Sequence, residues 1–425
     1  MASERWIANG VPRRVYLDHA ATSWPKPHAV LEAMKGYLSD IGASAGRGAY
    51  QSARQANQIV DTLRHQLAQR INANTERGHD ASISLHSGCT LAIHTLIESL
   101  QIDGPFDVLV SAADHNAVLR GWHHRCQRDG GQFIVVPTDA AGRIDVDALN
   151  NAITAKTRVI AVTHASNVTG FVQPIDLIGK HIKAVNEGRD PDQQIFFFSD
   201  AAQTFGYLPV NVSEFGVHGL VAPAHKGSKG PPGIAMLYID PAWHHRVHPV
   251  VHGGTGHDGA SMTMPKGLPG KLEAGTMNLP AVAGWLAAIE LENDDSGGDD
   301  TELASLSAHL HAGLASIDSV RVIGQPGPLP IASIEFESEL SPQEAAAILD
   351  SEFGIEVRAG HHCAARIHNC LMTERLGTLR FSGGHTTTMN EIDYAVDAVM
   401  QIAESVQALS SVSSSQSPIP TQRRR

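Results

Sequence analysis

The sequence predicts an α/β protein, a mostly parallel sheet flanked by helices with a smaller α+β domain at the C-terminal end, and three observations carry that expectation. Between about residues 80 and 240, short β-branched or apolar runs alternate with amphipathic helical stretches, the pattern of a parallel sheet covered by helices. At 425 residues the chain exceeds the usual ceiling for one hydrophobic core, so two lobes are expected. An acidic, glycine-containing stretch at 292–300 reads as the hinge between them, and helix and strand patterns resume beyond it to about residue 408.

In chain order, strands are expected at 81–85, 107–111, 132–136, 158–163, 195–199 and 219–222, with helices between them. The last helix opens with Thr388-Met-Asn-Glu391, a capping-box signature ahead of the periodic apolar residues Ile392, Ala395 and Val396. The predicted domains are a large one over 15–292 and a small one made of 1–14 with 301–408. A Ser/Pro-rich disordered tail is expected over 409–425. No internal repeat is present.

Composition narrows the function classes. Apolar residues make up 42% and charged residues 18%, which fits a globular protein rather than a disordered or fibrous one. The formal charge is -12, and the only basic run is Arg423, Arg424 and Arg425, so no nucleic-acid partner is expected. No apolar run approaches the roughly 18 residues of a membrane span, and the N-terminus lacks the order of a signal peptide. A cytoplasmic protein with no membrane partner is the expectation. Four cysteines, Cys89, Cys126, Cys363 and Cys370, are scattered without a CxxC pair and read as reduced thiols. Histidine pairs at His123/His124, His244/His245 and His361/His362 raise the question of a metal. Adjacent strand residues point to opposite faces and no closed ligand spacing occurs, so no metal site is expected.

Ligands of open α/β sheets sit beyond the carboxyl ends of the strands. The residues there are polar and unusual: Ser87-Gly88-Cys89-Thr90, Asp114-His115-Asn116, Asn167, Asp200-Ala-Ala-Gln203 and His225-Lys226. Asp200 follows an apolar strand, and a carboxylate there needs a cationic partner, either a structural one or the ring nitrogen of pyridoxal phosphate. Lys226 follows a strand and precedes Gly227, Gly230 and Gly233, where close backbone approach lets a lysine reach into a cleft as a Schiff-base former. An exposed loop lysine is the ordinary alternative, and Lys229 is a rival. Ser87 to Thr90 precede a helical pattern whose free N–H groups suit a phosphate, although a plain helix start has the same signature. His115 would stack on a planar cofactor, relay protons, or simply be a satisfied core residue.

In the small lobe, Cys363 lies in Arg358-Ala-Gly-His-His-Cys-Ala364. A thiol is a good nucleophile only as thiolate, and Arg358, His361 and His362 are cationic neighbours able to favour that form. Arg380 stands on an otherwise apolar strand and wants a bidentate anion, an amino-acid carboxylate or a structural acid.

In this order and over nearly the whole chain, these segments resemble the class V aminotransferase family of fold type I pyridoxal-phosphate enzymes. Within it they are most similar to the group II cysteine desulfurases and selenocysteine lyases. The matching stretches are Tyr16-Leu-Asp-His-Ala-Ala-Thr-Ser-Trp-Pro-Lys-Pro27, His164-Ala-Ser-Asn-Val-Thr-Gly170, Asp200-Ala-Ala-Gln203, His225-Lys226, Glu273-Ala-Gly-Thr276 and Arg358-Ala-Gly-His-His-Cys-Ala364. The resemblance implies pyridoxal 5'-phosphate on Lys226, Asp200 at the pyridine nitrogen, Gln203 at the phenolic oxygen and His115 on the ring. It implies Thr90 and His225 at the phosphate, with Cys89 facing the cofactor or merely packing and Thr276 reaching across from a second subunit, hence a homodimer. Arg380 and Asn167 would bind the substrate carboxylate region with Arg358 nearby, and Cys363 would take sulfur from L-cysteine as a persulfide for a sulfur-acceptor protein. Selenocysteine lyase, another class V aminotransferase or lyase in which Cys363 is incidental, and a non-catalytic sulfur relay are the competing readings. The sequence departs from the family pattern at Pro223, Cys89, His19 and Gly383-Gly-His-Thr-Thr387.

Overall fold

The computed structural model describes residues 14–73, 82–256, 260–294 and 300–415. After a short first strand β1 (Val15–Tyr16), the chain builds seven strands: β2 (Ile83–His86), β3 (Asp107–Ser111), β4 (Phe133–Val136), β5 (Thr157–Ala161), β6 (Phe196–Asp200), β7 (Gly219–Pro223) and β8 (Ala235–Ile239). They form one sheet in the order β2-β8-β7-β6-β5-β3-β4. The pairings from β7 through β4 are parallel, whereas β8 runs antiparallel to both of its neighbours. All six expected strands are present within a residue or two, except that residue 81 lies outside the described residues. Strand β8 is the addition: Ala-Met-Leu-Tyr-Ile is an apolar run like the others, and its reversed direction depends on pairing with β2 and β7.

Strands of such a sheet are apolar on both faces because helices cover both. Successive side chains point to opposite sides, and here they feed two different cores. Leu109, Ile160, Phe197 and Leu220 pack on one side, while Val108, Val110, Val159, Phe196, Phe198 and Val221 pack on the other.

Strands β9 (Val320–Ile323), β10 (Ile331–Phe336), β11 (Ile355–Glu356), β12 (Arg358–Gly360) and β13 (Thr378–Ser382) follow. Four of them make an antiparallel sheet in the order β12-β13-β10-β9, and β11 pairs in parallel with β1. The expected capping box at Thr388 is present: the Glu391 N–H donates to the Thr388 hydroxyl at 3.3 Å and the Thr388 N–H to the Glu391 carboxylate at 3.0 Å. That helix runs Met389–Ser415, so the first residues of the stretch expected to be a disordered tail are helical, and the remainder lies outside the described residues. So do residues 1–13 and the centre of the expected hinge, 295–299.

Val15, Leu17 and Ala20 belong to the second core, with Leu310, Ile334, Leu379 and Phe381. The boundary expected at residue 15 is therefore displaced, because β1 joins β11 rather than the large sheet. From there the chain crosses directly to the large lobe. Asp18 bridges to Ser382, and five residues later the Ser23 N–H donates to the carbonyl of His225 at 3.0 Å. This strap carries Asp18 to Thr22 across the gap between the lobes. Among the described residues, no helix is long and apolar enough to cross a membrane.

Candidate active site

The strap, the carboxyl ends of the parallel strands and the segment after β12 enclose a cavity of about 560 Å³. Its walls include Cys89, Thr90, His115, Asn167, Asp200, Gln203, His225, Lys226, Arg358, Cys363 and Arg380. Eleven of the twelve expected site residues thus meet in one place, drawn from positions 89 to 380. Thr276 is the exception. It is exposed and lines a larger, adjoining cavity of about 1330 Å³ with Arg64, His86 and Glu273.

On the large-lobe side, the helix Cys89–Ser99 starts after Gly88, whose φ of 137° suits glycine, and it has no side-chain cap. Its first N–H groups lack intrahelical partners, and the positive end of its dipole faces the cavity wall, a ready anion site. Burial holds the Cys89 thiol well above the ordinary thiol range, so it stays protonated. His115 caps the next helix, Asn116–Asp129, its Nδ1 accepting from the Ala117 N–H at 3.0 Å. In the neutral ring the proton therefore sits on Nε2. Burial favours that neutral form, opposed by the nearby Asp200 carboxylate.

Asp200 ends β6 and accepts one hydrogen bond from the Ala202 N–H at 2.9 Å. Burial pushes its pKa up, and His115 and Lys226 pull it back. Lys226 lies three residues beyond β7. It lines the cavity, which rejects the exposed-loop alternative, and burial lowers its amine pKa while Asp200 and Cys89 oppose that. The rival Lys229 is not part of the cavity wall. Beside it, His225 Nδ1 contacts the Thr22 hydroxyl at 3.0 Å, and the His225 carbonyl accepts from Lys26 Nζ at 2.6 Å. Gln203 Nε2 donates to the Ala20 carbonyl at 3.1 Å. The strap is thus sewn to the large-lobe side of the cavity by both backbone and side-chain bonds.

Cys363 arrives from the small lobe as an exposed thiol in a left-handed turn, with φ of 48° at His362 and 57° at Cys363. Such backbone is unusual for non-glycine residues and persists only where the surroundings over-determine it. They do so here: the Asn116 N–H donates to the Cys363 carbonyl at 2.6 Å, and Asn167 Nδ2 to the His362 carbonyl at 2.5 Å. Both bonds come from the large lobe, so the thiol is presented by one lobe and aimed by the other.

Two expectations for this region change. His362 was read as a cationic neighbour of the thiol, but it is buried, donor or acceptor to Thr378 at 2.9 Å, and burial drives its pKa down to about 2. It is neutral, and His361 bonds the Glu374 carbonyl instead. Arg358 lines the cavity with Cys363, and the two interact electrostatically. Both arginines are also already engaged. Asp18 receives Arg380 at 2.7 Å and Arg358 at 2.8 Å, and Arg380 further donates to the Asn167 carbonyl at 2.9 Å. Sequence reasoning included Asp18 in a matching stretch without giving it a role. Its only local signal is a carboxylate leaving a strand, and its partners lie 340 and 362 residues away.

The burial of neutral histidines has a measurable consequence. His19, His164 and His368 are buried with pKa values lowered to about 4, and His362 to about 2, each chiefly by loss of hydration. The unfolded chain protonates them near 6.5, so between pH 6.5 and about 4 it binds more protons than the folded one. Stability is then complete above pH 6.5 and falls as pH drops, by up to about 1.4 kcal/mol per pH unit for each histidine. Urea unfolding at pH 7.5 and pH 5.0 is expected to differ by several kcal/mol, and His164→Gln should reduce that difference by one histidine's share. Equal stability at the two pH values would mean that these rings are charged in the fold.

The family model described as Aminotransferase class-V matches residues 15–395. A probable cysteine desulfurase of Methanothermobacter thermautotrophicus is 30% identical over 403 residues, covering 92% of this chain and 94% of that protein. One from Vibrio cholerae is 29% identical over 402 residues, covering 92% and 94%. Among solved structures, the apo cysteine desulfurase of Thermococcus onnurineus superposes with a TM-score of 0.81 at 25% identity, covering 92% of this chain and 95% of that one. The cysteine desulfurase CsdA of Escherichia coli does so with 0.81 at 27%, with the same coverage. A family match that begins at β1 and ends within the last helix takes in both lobes and the whole cavity, and the chain belongs to the class-V aminotransferase family.

Proposed function

We propose that the chain is a pyridoxal 5'-phosphate-dependent cysteine desulfurase that converts L-cysteine to L-alanine and leaves the sulfur as a persulfide on Cys363. The observation that carries this reading is the exposed Cys363 thiol in the wall of the same cavity as Lys226 and Asp200. The donor set fits the cofactor. An uncapped helix start beside Thr90 and His225 would hold the phosphate, Asp200 would pair the ring nitrogen, Gln203 would meet the phenolic oxygen and His115 would lie on the ring. Lys226 would be the point of covalent attachment. When bound, the cofactor supplies an electron sink that makes the substrate Cα proton removable.

The protein's own groups do the rest. An amine whose pKa is lowered by burial is a competent base near neutrality, so Lys226 takes the Cα proton and later returns one. Arg380 and Asn167 orient the substrate carboxylate. The Cys363 thiolate forms a bond to the substrate sulfur as the C–S bond breaks, the electron pair staying with the carbon skeleton that leaves as alanine. An exposed persulfide on Cys363 suits transfer to an acceptor protein. Thr276, absent from the cavity of its own chain, fits a phosphate contact to a second subunit and hence a homodimer. Four free cysteines suit a cytoplasmic setting.

The test is product stoichiometry from L-cysteine with a reductant present. Alanine and sulfide in equal amounts are expected. 3-Mercaptopyruvate in place of alanine would assign the chain to transamination, pyruvate with sulfide and ammonia to β-elimination, and no product would reject the reading.

A further inference from the structure

We infer that Lys26 is a positioning residue for Lys226: its ammonium group pins the His225 carbonyl, and with it the peptide that carries Lys226, to the strap between the lobes. The inference rests on reading Lys226 as the point of covalent attachment and deepens it by naming what holds that lysine in place.

Four donors from one short segment converge on the His225 carbonyl oxygen. Lys26 Nζ donates to it at 2.6 Å, the Ser23 N–H at 3.0 Å, the Thr22 hydroxyl at 3.0 Å and the Ser23 hydroxyl at 3.2 Å. A carbonyl oxygen has two lone pairs, so the charged donor, which is also the nearest, holds the dominant share. Lys26 Nζ further donates to Ser23 Oγ at 2.8 Å, which ties the cluster together. On the far side of Lys226, its own carbonyl accepts from the Lys229 N–H at 2.9 Å. The backbone of Lys226 is thus gripped on both flanks while its side chain reaches into a cavity that Lys26 does not line.

Lysine is a costly choice for a staple at this position. Lys26 is half-buried, loss of hydration lowers its pKa to about 8, and among the described residues no carboxylate pairs with it. Uncompensated burial of an ammonium group works against stability, and a neutral side chain could bond the same oxygens. What the charge adds is a stronger bond to that one carbonyl. Its own place is set by Pro25 and Pro27, whose rings restrict φ on either side, and by the helix His28–Gly36, which buries Val30 in the large-lobe core. A lysine that must leave a cofactor and return to it gains from a fixed backbone, because an attacking group held in place acts at a high effective concentration.

The test titrates methylamine into the holoenzyme of wild type and variants, fixes the remaining lysine–cofactor link with borohydride and reads the label on Lys226 by mass spectrometry. In Lys26→Met the methylamine concentration that halves the label is expected to fall at least about tenfold, the scale of one lost charged hydrogen bond. Lys26→Arg, which keeps a charged donor, should return it most of the way to the wild-type value. A role confined to stability would lower the urea midpoint of Lys26→Met and leave the methylamine midpoint in place, and that result would overturn the inference. Should Lys26→Met not fold, Ser23→Ala decides, since it removes one neutral donor and the bridge to Lys26. A fall of about threefold is expected there, and no shift would overturn the inference. Label found on another lysine in wild type would overturn both the attachment reading and the inference. A wild type labelled at Lys226 that yields no alanine from L-cysteine would sink the desulfurase reading alone, with the methylamine midpoints still deciding the role of Lys26.

Discussion

Lys226→Ala is expected to abolish turnover and, with it, the visible absorbance of a lysine-bound cofactor. The side chain stands three residues past β7 in the wall of the cavity, where burial lowers its amine pKa and Asp200 supports the charged form. These opposing influences suit a group that must both attach covalently and act as a base. Losing the base alone costs about 10² to 10⁴ in rate, and losing the attachment point adds to that. Absorbance spectra of purified wild type and variant, followed by alanine assays with added pyridoxal phosphate, check the expectation. Because the cavity wall carries further candidate contacts at Asp200, Gln203, His115 and His225, the variant should still bind the cofactor, without the covalent link. An unchanged visible spectrum in Lys226→Ala would transfer the role to another amine, Lys229 first.

Cys363→Ala should separate the two halves of the chemistry. The variant is expected to keep the cofactor and its spectral response to L-cysteine, since no group proposed to hold the cofactor or the substrate carboxylate is altered. Alanine formation should drop by at least about three orders of magnitude, as when a covalent nucleophile is removed from a site that acts as a unit. The substitution also tests the turn. Cys363 already holds a positive φ that costs any residue with a Cβ, alanine included, and its carbonyl remains pinned by the Asn116 N–H, so little change in stability is expected. Cys363→Gly, which relieves the backbone, should be equally inactive and more stable than Cys363→Ala. Turnover that survives in both variants would make the thiol incidental and point to another lyase or aminotransferase reaction.

The charge environment of Cys363 illustrates where sequence reasoning stops. Adjacency in His361-His362-Cys363 suggested a ring of cations around the thiol, but the left-handed turn sends His362 inward against Thr378 and His361 toward Glu374. Once buried, an imidazole loses the hydration that stabilises its charge, and it becomes a neutral packing group. Arg380 is a similar case. Its residue type announced an anion partner, and the strand pattern placed it correctly on β13, but the partner proved to be Asp18, 362 residues earlier.

Read by itself, the sequence determined the alternation of strands and helices, the positions of the six strands it expected in the large sheet, and eleven cavity residues. The strands and eight of those residues follow from local periodicity and from the rule that parallel strands deliver polar residues at their carboxyl ends, whereas Arg358, Cys363 and Arg380 stood out by residue chemistry in the small lobe; all are signals written in short stretches of chain. Tertiary structure alone decided the reversed strand β8, the capture of Val15 and Leu17 by the second core, the neutralisation of His362 and the sharing of Asp18 between two arginines. Each of those depends on which distant segments pack together. Hydration, charge and strand direction are set by that packing, not by the neighbours along the chain.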